Sequence, residues 1–539
     1  MADQATDTPP VNLPVLSQIY SSQLAQIARA SPHCRSGHRP RLNLISSATI
    51  RPMHRTLLLL TLVSSFAFAG PYIPAGDLVL RHDIQRLADH GVIKGPTSTW
   101  PLAWGPILDA IQNTDATTLP PDVADVLVRV RQRASWETRS QELTFNTKAG
   151  VADNATRIRS FQNTPRGKIE VAAGAGWIDD WFSIDLNIQG VDSEQDKDEF
   201  RADDSMIGVV VGNWSIAAST QQRWWGPGWD GSLILSNNAR PFPSLTFDRV
   251  FTDAFRTKWL SWIGPWDLSV MFGQLEKERA VPNAQFFGMR FNFRPIPSLE
   301  IGISRSAQWC GDSRPCDAST FVDLFFGRDN IGDAGIGAEN EPGNQMAGLD
   351  VRWSPGLFDL PIAAYGQFIG EDEAGGFPSR YLIQVGLEGT GYLMNKWSYR
   401  WFAELAGTSC DFIKSEVLYN CGYRQSIYQS GYTYRGRIIG HGADNDARLI
   451  SAGWIMVDEN DSQWRALLRF GDLNRGGAPD SGHAITPTPQ DIVSVDLSHS
   501  RVFPFGVIDL GAGFEQIDDL SSGNSSSDGR LYLQWRSSY

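Results

Sequence analysis

From Leu143 onward, apolar and polar residues alternate with a period of two, the mark of strands that bury or expose one face at a time. Leu143, Phe145, Thr147, Ala149 and Val151 alternate with Thr144, Asn146, Lys148 and Gly150. Phe182, Ile184, Leu186 and Ile188 alternate with Ser183, Asp185, Asn187 and Gln189. Phe287, Met289, Phe291 and Phe293 alternate with Gly288, Arg290, Asn292 and Arg294, and the pattern recurs at 381–387, 464–470, 493–497 and 508–514. Ahead of these strands, residues 70–140 have a helical period instead. Asp77 is predicted to cap a helix running to His90, with Leu80, Ile84 and Leu87 on one face and Gly91 ending it. A further helix is predicted over 122–133, with Val123, Val126, Leu127 and Val130 inward; Pro101-Leu102 and Gly105-Pro106 punctuate the interval. A helical segment of this size is marginal as an independent core, so it is expected to lean on the strands that follow.

The alternation suits a transmembrane β-barrel, whose apolar face meets lipid and whose polar face meets a lumen. A soluble sandwich shows the same period, but its long connections do not sort to one side. Here they do. Short inward turns are expected at 177–180, 213, 264–265, 295–297, 354–361, 391–395, 458–461 and 503–505. Between them fall outward connections at 152–166, 191–204, 222–245, 276–284, 309–344, 370–378, 407–446, 473–490 and 516–528. The fold class is therefore mainly β, an antiparallel barrel of about 18 strands with a small N-terminal helical segment on the periplasmic side. The polar-face residues Arg290, Arg294, Arg352, Arg400, Glu388 and Glu404 are expected to form a charge network in the lumen.

Residues 53–69, MHRTLLLLTLVSSFAFA, have a basic start, an apolar stretch and an Ala-x-Ala end, the pattern of a cleaved signal peptide. The division expected is a spurious upstream extension at 1–52, the signal peptide at 53–69, the helical segment at 70–140 and the barrel at 141–539. Cys34 lies in the discarded leader. Cys310 with Cys316 and Cys410 with Cys421 each close a short polar loop, and in an exported chain they are expected to form two local disulfides. The final stretch, GRLYLQWRSSY, places Leu531, Leu533 and Trp535 on the face of the terminal Tyr539. Such a strand resembles the signal read by the outer-membrane assembly machinery, an expected partner alongside outer-membrane lipid. The location expected is the outer membrane of a Gram-negative bacterium.

Net charge is −13, and becomes −17 once residues 1–69, with six Arg and two Asp, are removed. That balance excludes nucleic acid as a partner. Three outward segments carry candidate chemistry. In Gln221–Pro241, Trp224, Trp225 and Trp229 surround a Gly-Pro-Gly turn, with Arg223, Asp230, Asn237, Asn238 and Arg240 beside them. Indole faces stack on sugar rings and the polar groups bond hydroxyls; the same cluster equally closes a loop or belongs to an aromatic girdle. Glu371, Asp372 and Glu373 form an acidic loop, a Ca²⁺ candidate by donor chemistry and otherwise a solvated turn. His441 with Asp444, Asn445 and Asp446 reads as a polar loop, with a metal or hydrogen-bonding site as the alternative. No catalytic motif is present, and neither a metal site nor a cofactor is expected.

The segments RWWGPGWDGSLILSNNARP, WCGDSRPC, NQMAGLDVRW, GEDEAGG and YTYRGRIIGHGADND together resemble the capsule assembly protein Wzi family, over nearly the whole chain after the leader. The resemblance implies a non-catalytic, lectin-like outer-membrane barrel that binds and anchors capsular or exopolysaccharide at the cell surface. A passive porin for small solutes is the alternative. A surface glycosidase using Glu371 and Glu373 is a weaker third reading.

Overall fold

The computed structural model describes residues 72–538 apart from 194–195, 197, 326–342, 357–360, 375–376, 395, 411–415 and 478–482. The leader, the expected signal peptide, residues 70–71 and Tyr539 lie outside the described residues, as do the side chains of 372–379 and 538.

Three helices come first: α1 (Leu78–Asp89), α2 (Trp104–Gln112) and α3 (Pro121–Glu137). Asp77 caps α1 as expected, its Oδ1 accepting from the Leu80 N–H at 3.0 Å. Helix α3 starts on Pro121, a first-turn position that needs no N–H, and runs to Glu137, four residues past the predicted end. Helix α2 was not predicted. Gly105-Pro106 reads as a breaker, yet Pro106 falls in the first turn of α2, where proline is tolerated.

Eighteen strands then close an antiparallel barrel. The first six are β1 (Leu143–Ala152), β2 (Ile169–Ile178), β3 (Phe182–Asp192), β4 (Phe200–Arg201, continued by Met206–Val211), β5 (Trp214–Ser219) and β6 (Ser244–Arg249). Next are β7 (Trp266–Gln274), β8 (Gln285–Ile296), β9 (Leu299–Trp309), β10 (Gly343–Trp353), β11 (Ile362–Ala374) and β12 (Phe377–Leu393). The last are β13 (Trp397–Gly407), β14 (Arg448–Val457), β15 (Gln463–Leu473), β16 (Gln490–Phe503), β17 (Gly506–Asp519) and β18 (Ser525–Ser538). Closure comes from β18 pairing β1, with Leu533 opposite Val151 and Trp535 opposite Ala149. Short turns and long loops segregate to opposite ends, and the outward faces carry exposed Val171, Ile188, Leu245, Ile303, Phe470, Leu497, Phe514 and Leu531. No described helix is long and apolar enough to cross a membrane; the strands make the crossing.

The core of the helical segment is continuous with the lumen of the barrel. Ile84 and Leu87 of α1 and Val123, Val126, Leu127 and Val130 of α3 share one buried cluster with Phe402, Ile455, Val457 and Leu467, which face the lumen. Helix α1 therefore sits in the short-turn mouth of the barrel. Arg86 donates to Gly391 O at 2.8 Å and Arg294 of β8 donates to Ile93 O and Gly95 O at 3.2 Å each. Arg352 bridges Asp89 of α1 and Glu388 of β12 at 2.7 and 2.6 Å. The expected lumen charge network is thus present, and much of it holds the helix in place.

Candidate functional site

The connection 220–243 between β5 and β6 does not project outward. It turns into the lumen. Trp224 and Trp225 are 0 % exposed and Trp229 3 %. Trp224 pairs Trp100 and Trp225 pairs Thr99 in a two-stranded ribbon with the helical segment, so the insert from the loop end meets the segment entering from the turn end. The Gly-Pro-Gly turn permits the close approach: a Cβ on Gly228 would lie 2.2 Å from Gly231 O, and one on Gly231 would lie 2.1 Å from His441 Nε2.

Arg81 of α1 is the hinge of this contact. Its guanidinium lies 4.2 Å from both the Phe161 and Trp229 rings, and Nη2 donates to Pro227 O and Gly228 O at 2.9 and 2.7 Å. The Trp229 indole N–H donates to Glu388 at 2.6 Å, its ring stacks on Phe402, and its backbone N–H donates to Glu404. Asp230 takes a two-armed bond from Arg469 of β15, Nη2 at 2.7 Å. Burial pushes the Asp230 carboxyl up, but Arg469 outweighs it and holds the group below the usual carboxylate range. The Trp224 and Trp225 N–H groups meet no acceptor among the described residues, so these two rings act by packing.

The remaining predicted sugar contacts are also internal. Arg223 pairs Asp248 at 3.0 Å and donates to Ser269. Asn237 donates to Phe161 O at 2.7 Å and Asn238 to Ile438 O at 3.0 Å. Arg240 pairs Asp203 and Asp196 at 2.9 and 3.0 Å. These eight side chains therefore build a stopper rather than a ligand surface. The physical reason is that the lumen offers buried charges, Glu388, Glu404, Asp248 and Arg469, that the loop's polar groups satisfy.

The acidic loop is also corrected. Strand β11 continues through Glu371, Asp372 and Glu373, and Asp372 is paired with Ser379, Glu373 with Pro378 and Ala374 with Phe377, so the three acidic residues stand on a strand. Glu371 is buried. His441, Asp444, Asn445 and Asp446 are buried beneath the outer loops. Burial pushes the His441 imidazole down to about 4, with Asp230 and Arg469 pulling in opposite senses, so it is neutral at neutral pH. No metal-binding group of three or more His, Cys, Asp or Glu occurs among the described residues. The cysteines do pair as expected, Cys310 with Cys316 and Cys410 with Cys421, at Cα separations of 4.7 and 5.8 Å.

Connection 408–447 lies over the stopper. Tyr423 and Tyr432 donate to Leu233 O and Ile234 O at 2.7 and 2.9 Å, and the Ser236 N–H donates to Ile439 O at 2.9 Å. Its hairpin, Thr433–Tyr434 with Arg437–Ile438, brings Tyr434, Arg435 and Arg437 to a notch shared with Arg166, Arg201, Arg240 and Asp196, and Arg435 pairs Asp198 and Glu278 at 2.7 and 3.2 Å. Arg166 and Arg437 donate to main-chain carbonyls, Asn237 O and Arg157 O among them, rather than to carboxylates. Burial, together with Arg166 and Arg157, pushes Arg437 down to about 10. Tyr419, beside the 410–421 disulfide, is exposed with the Arg475 guanidinium 5.4 Å from its ring. The sequence reading singled out neither group. Arg435 and Arg437 stand in the quoted YTYRGRIIG segment, but nothing in its spacing separates them from Tyr432 or Ile438, which are buried.

The family model described as capsule assembly protein Wzi matches residues 132–523. This chain belongs to that family. Within the Wzi family, it is 32 % identical over 423 residues to a Klebsiella pneumoniae protein described as an uncharacterized 55.8 kDa protein in the cps region, covering 78 % of this chain and 81 % of that one. The solved structure of Escherichia coli Wzi matches with a TM-score of 0.74 at 26 % identity, over 86 % of this chain and 98 % of that one. That protein is described as an outer membrane protein involved in Group 1 capsule assembly and a carbohydrate-binding β-barrel. This Wzi-family barrel is accordingly an outer-membrane protein of a Gram-negative cell. The matched range begins within α3, so Arg81, which clasps the stopper, lies ahead of it.

Proposed function

We propose that this protein binds and anchors capsular or exopolysaccharide at the cell surface, without catalysing a reaction on it. The observation that carries this reading over a porin is the lumen, filled from one end by α1 and from the other by the 220–243 insert, with Arg81 joining them. The described residues leave a polymer no open bore to enter, and the surface offered to it is the outer cap. There Tyr419 supplies a ring for stacking, Arg166 and Arg437 supply cations held by main-chain carbonyls, and Arg435, paired with Asp198 and Glu278 at 2.7 and 3.2 Å, lies at the rim of the same notch. In this reading residues 53–69 direct export and are removed, the helical segment lies on the periplasmic side, and β18 is the strand read by the assembly machinery.

The test uses Tyr419→Ala and Arg435→Ala, two partly exposed positions outside the stopper. The double variant is expected to reach the surface folded, yet to lose about thirtyfold in affinity for the cell's own polysaccharide, as two contacts of about 1 kcal/mol each would give. Unchanged retention of polysaccharide by cells lacking the protein, with export intact, sinks the reading. Steady conductance of the purified protein in planar bilayers returns the porin, and release of new reducing ends from polysaccharide returns the glycosidase.

A further inference from the structure

Strands β6 and β7 are joined by the inward turn 250–265, sixteen residues long, whereas the other inward turns span two to eight. It does not hang free below the barrel. Phe255 stacks on Trp266 with centroids 4.6 Å apart and planes 12° apart, and the Arg249 guanidinium lies 3.7 Å from the same Trp266 ring. Arg249 also donates to Asp253 O at 3.0 Å, tying the start of the turn to the end of β6. Trp262 meets Phe293 edge-on at 6.4 Å. At Gly264, with φ +72°, a Cβ would lie 2.0 Å from Arg294 O, so the chain is pressed against β8 as it returns.

The faces involved decide what this means. By the alternation along each strand, Arg249, Trp266, Phe291 and Phe293 share the outer, lipid-side face, opposite the lumen residues Asp248, Asp267, Asn292 and Arg294. Other outer-face residues are open, Leu245 at 45 % and Ile303 at 52 %, whereas Phe293 is 7 % exposed. The turn has folded back onto the outer wall and covers it. Its own remaining side chains then point away from the protein: Trp259 is 87 % exposed, Trp262 63 % and Leu260 41 %. Arg256 and Lys258 are exposed beside them and enter no ion pair among the described residues.

Two indoles and a leucine left in water on a pinned turn forgo the hydrophobic gain that burial would give them. Indole settles at the boundary between headgroups and acyl chains, and basic side chains there favour anionic lipid. The patch is continuous with the barrel's lipid-facing belt and lies at its periplasmic edge. We propose that the 250–265 turn is a lipid-binding element, seating Trp259, Leu260 and Trp262 in the inner leaflet and pairing Arg256 and Lys258 with anionic phospholipid headgroups. Val250 to Ala254 also wall a cavity of about 580 Å³ against α2, so lipid seating would fix one side of that cavity. The proposal is independent of polysaccharide binding.

The experiment places the full-length protein, labelled with 5-fluorotryptophan, in bilayers containing phosphatidylglycerol. Trp259→Phe and Trp262→Phe identify the two resonances. Both are expected to broaden with a nitroxide lipid and to resist a water-soluble gadolinium chelate; the reverse pattern overturns the proposal. In native mass spectrometry, Arg256→Ala with Lys258→Ala is expected to lower retention of phosphatidylglycerol relative to phosphatidylcholine on the order of tenfold. An unchanged ratio overturns the headgroup assignment.

Discussion

The stretches Gln221–Pro241 and Arg256–Trp266 carry the same kind of residues, indoles beside arginines and a Gly-Pro turn, and meet opposite fates. In the first, Trp224, Trp225 and Trp229 vanish into the lumen; in the second, Trp259 and Trp262 stay on the outside. What separates them is the partner each charge finds. Arg223 and Asp230 fall opposite Asp248 and Arg469 on the polar face of the barrel, and Trp229 lies between the guanidiniums of Arg81 and Arg400. Arg256 and Lys258, exposed on the outer turn, enter no ion pair among the described residues. Aromatic density alone marks an interface; the charges nearby decide whether that interface is internal or external.

The sharpest way to break the comparison is to remove a partner inside the lumen. Arg469→Ala leaves Asp230 buried and unpaired, and the expected loss is about 3–5 kcal/mol of stability, read from urea unfolding in detergent. Trp229→Ala should cost a similar amount, about 3–5 kcal/mol, by removing a buried indole and one of the two donors, the other being Arg400, that reach Glu388 Oε2. Both variants are also expected to leak ions in planar bilayers, where the parent barrel stays closed. A Trp229→Ala barrel of unchanged stability that loses polysaccharide would restore the indole as a ligand contact.

The fold was legible and the stopper was not, for a physical reason. A strand's face repeats every two residues, so local sequence carries the pattern, and the turn-and-loop parity follows from it. The same alternation put Arg290, Arg352, Arg400, Glu388 and Glu404 in the lumen, where they are found. The fate of the 220–243 connection depends instead on Arg81, Glu388 and Glu404, more than 130 residues away in the chain. No local period encodes such a pairing. Glu371 differs: carboxylates beside Gly375-Gly376 look like a loop, but β-pairing with the partner strand runs on through Asp372–Ser379 and Glu373–Pro378 to Ala374–Phe377. Polar composition describes solvent, and here the solvent on one face is a filled lumen.

A weaker probe of the internal side is pH. In the inward turn, burial and the nearby Asp83 push the Asp461 carboxyl up to about 6, against the pull of Arg133 and Arg129. The folded value thus lies above the unfolded value of about 3.9. Its contribution is complete below pH 4 and is lost as pH rises through 6, because the folded state holds the proton more tightly. With the carboxyl a quarter exposed, the loss between pH 4 and 6.5 is expected to be about 1–2 kcal/mol. Asp461→Asn should flatten that part of the curve relative to the parent protein. A parallel pair of curves would mean that the Arg129 contact at 3.6 Å already neutralises the group.

The smallest expected effect is the most informative about the outer side. Trp259→Ala removes an indole as large as that of Trp229, yet its side chain makes no described ring contact and lies open. In detergent the change should stay within about 0.5 kcal/mol, as for a surface substitution without a special partner. Set beside Trp229→Ala, the same chemical deletion then differs severalfold by location alone. A loss as large as that at Trp229 would mean the 250–265 turn braces the barrel from outside, and would make Phe255, Trp262 and Trp259 one packing unit with Trp266. A silent Trp259→Ala, with Phe255→Ala costing more because it loses the Trp266 stack, separates the side that holds the turn to the wall from the side left for the bilayer.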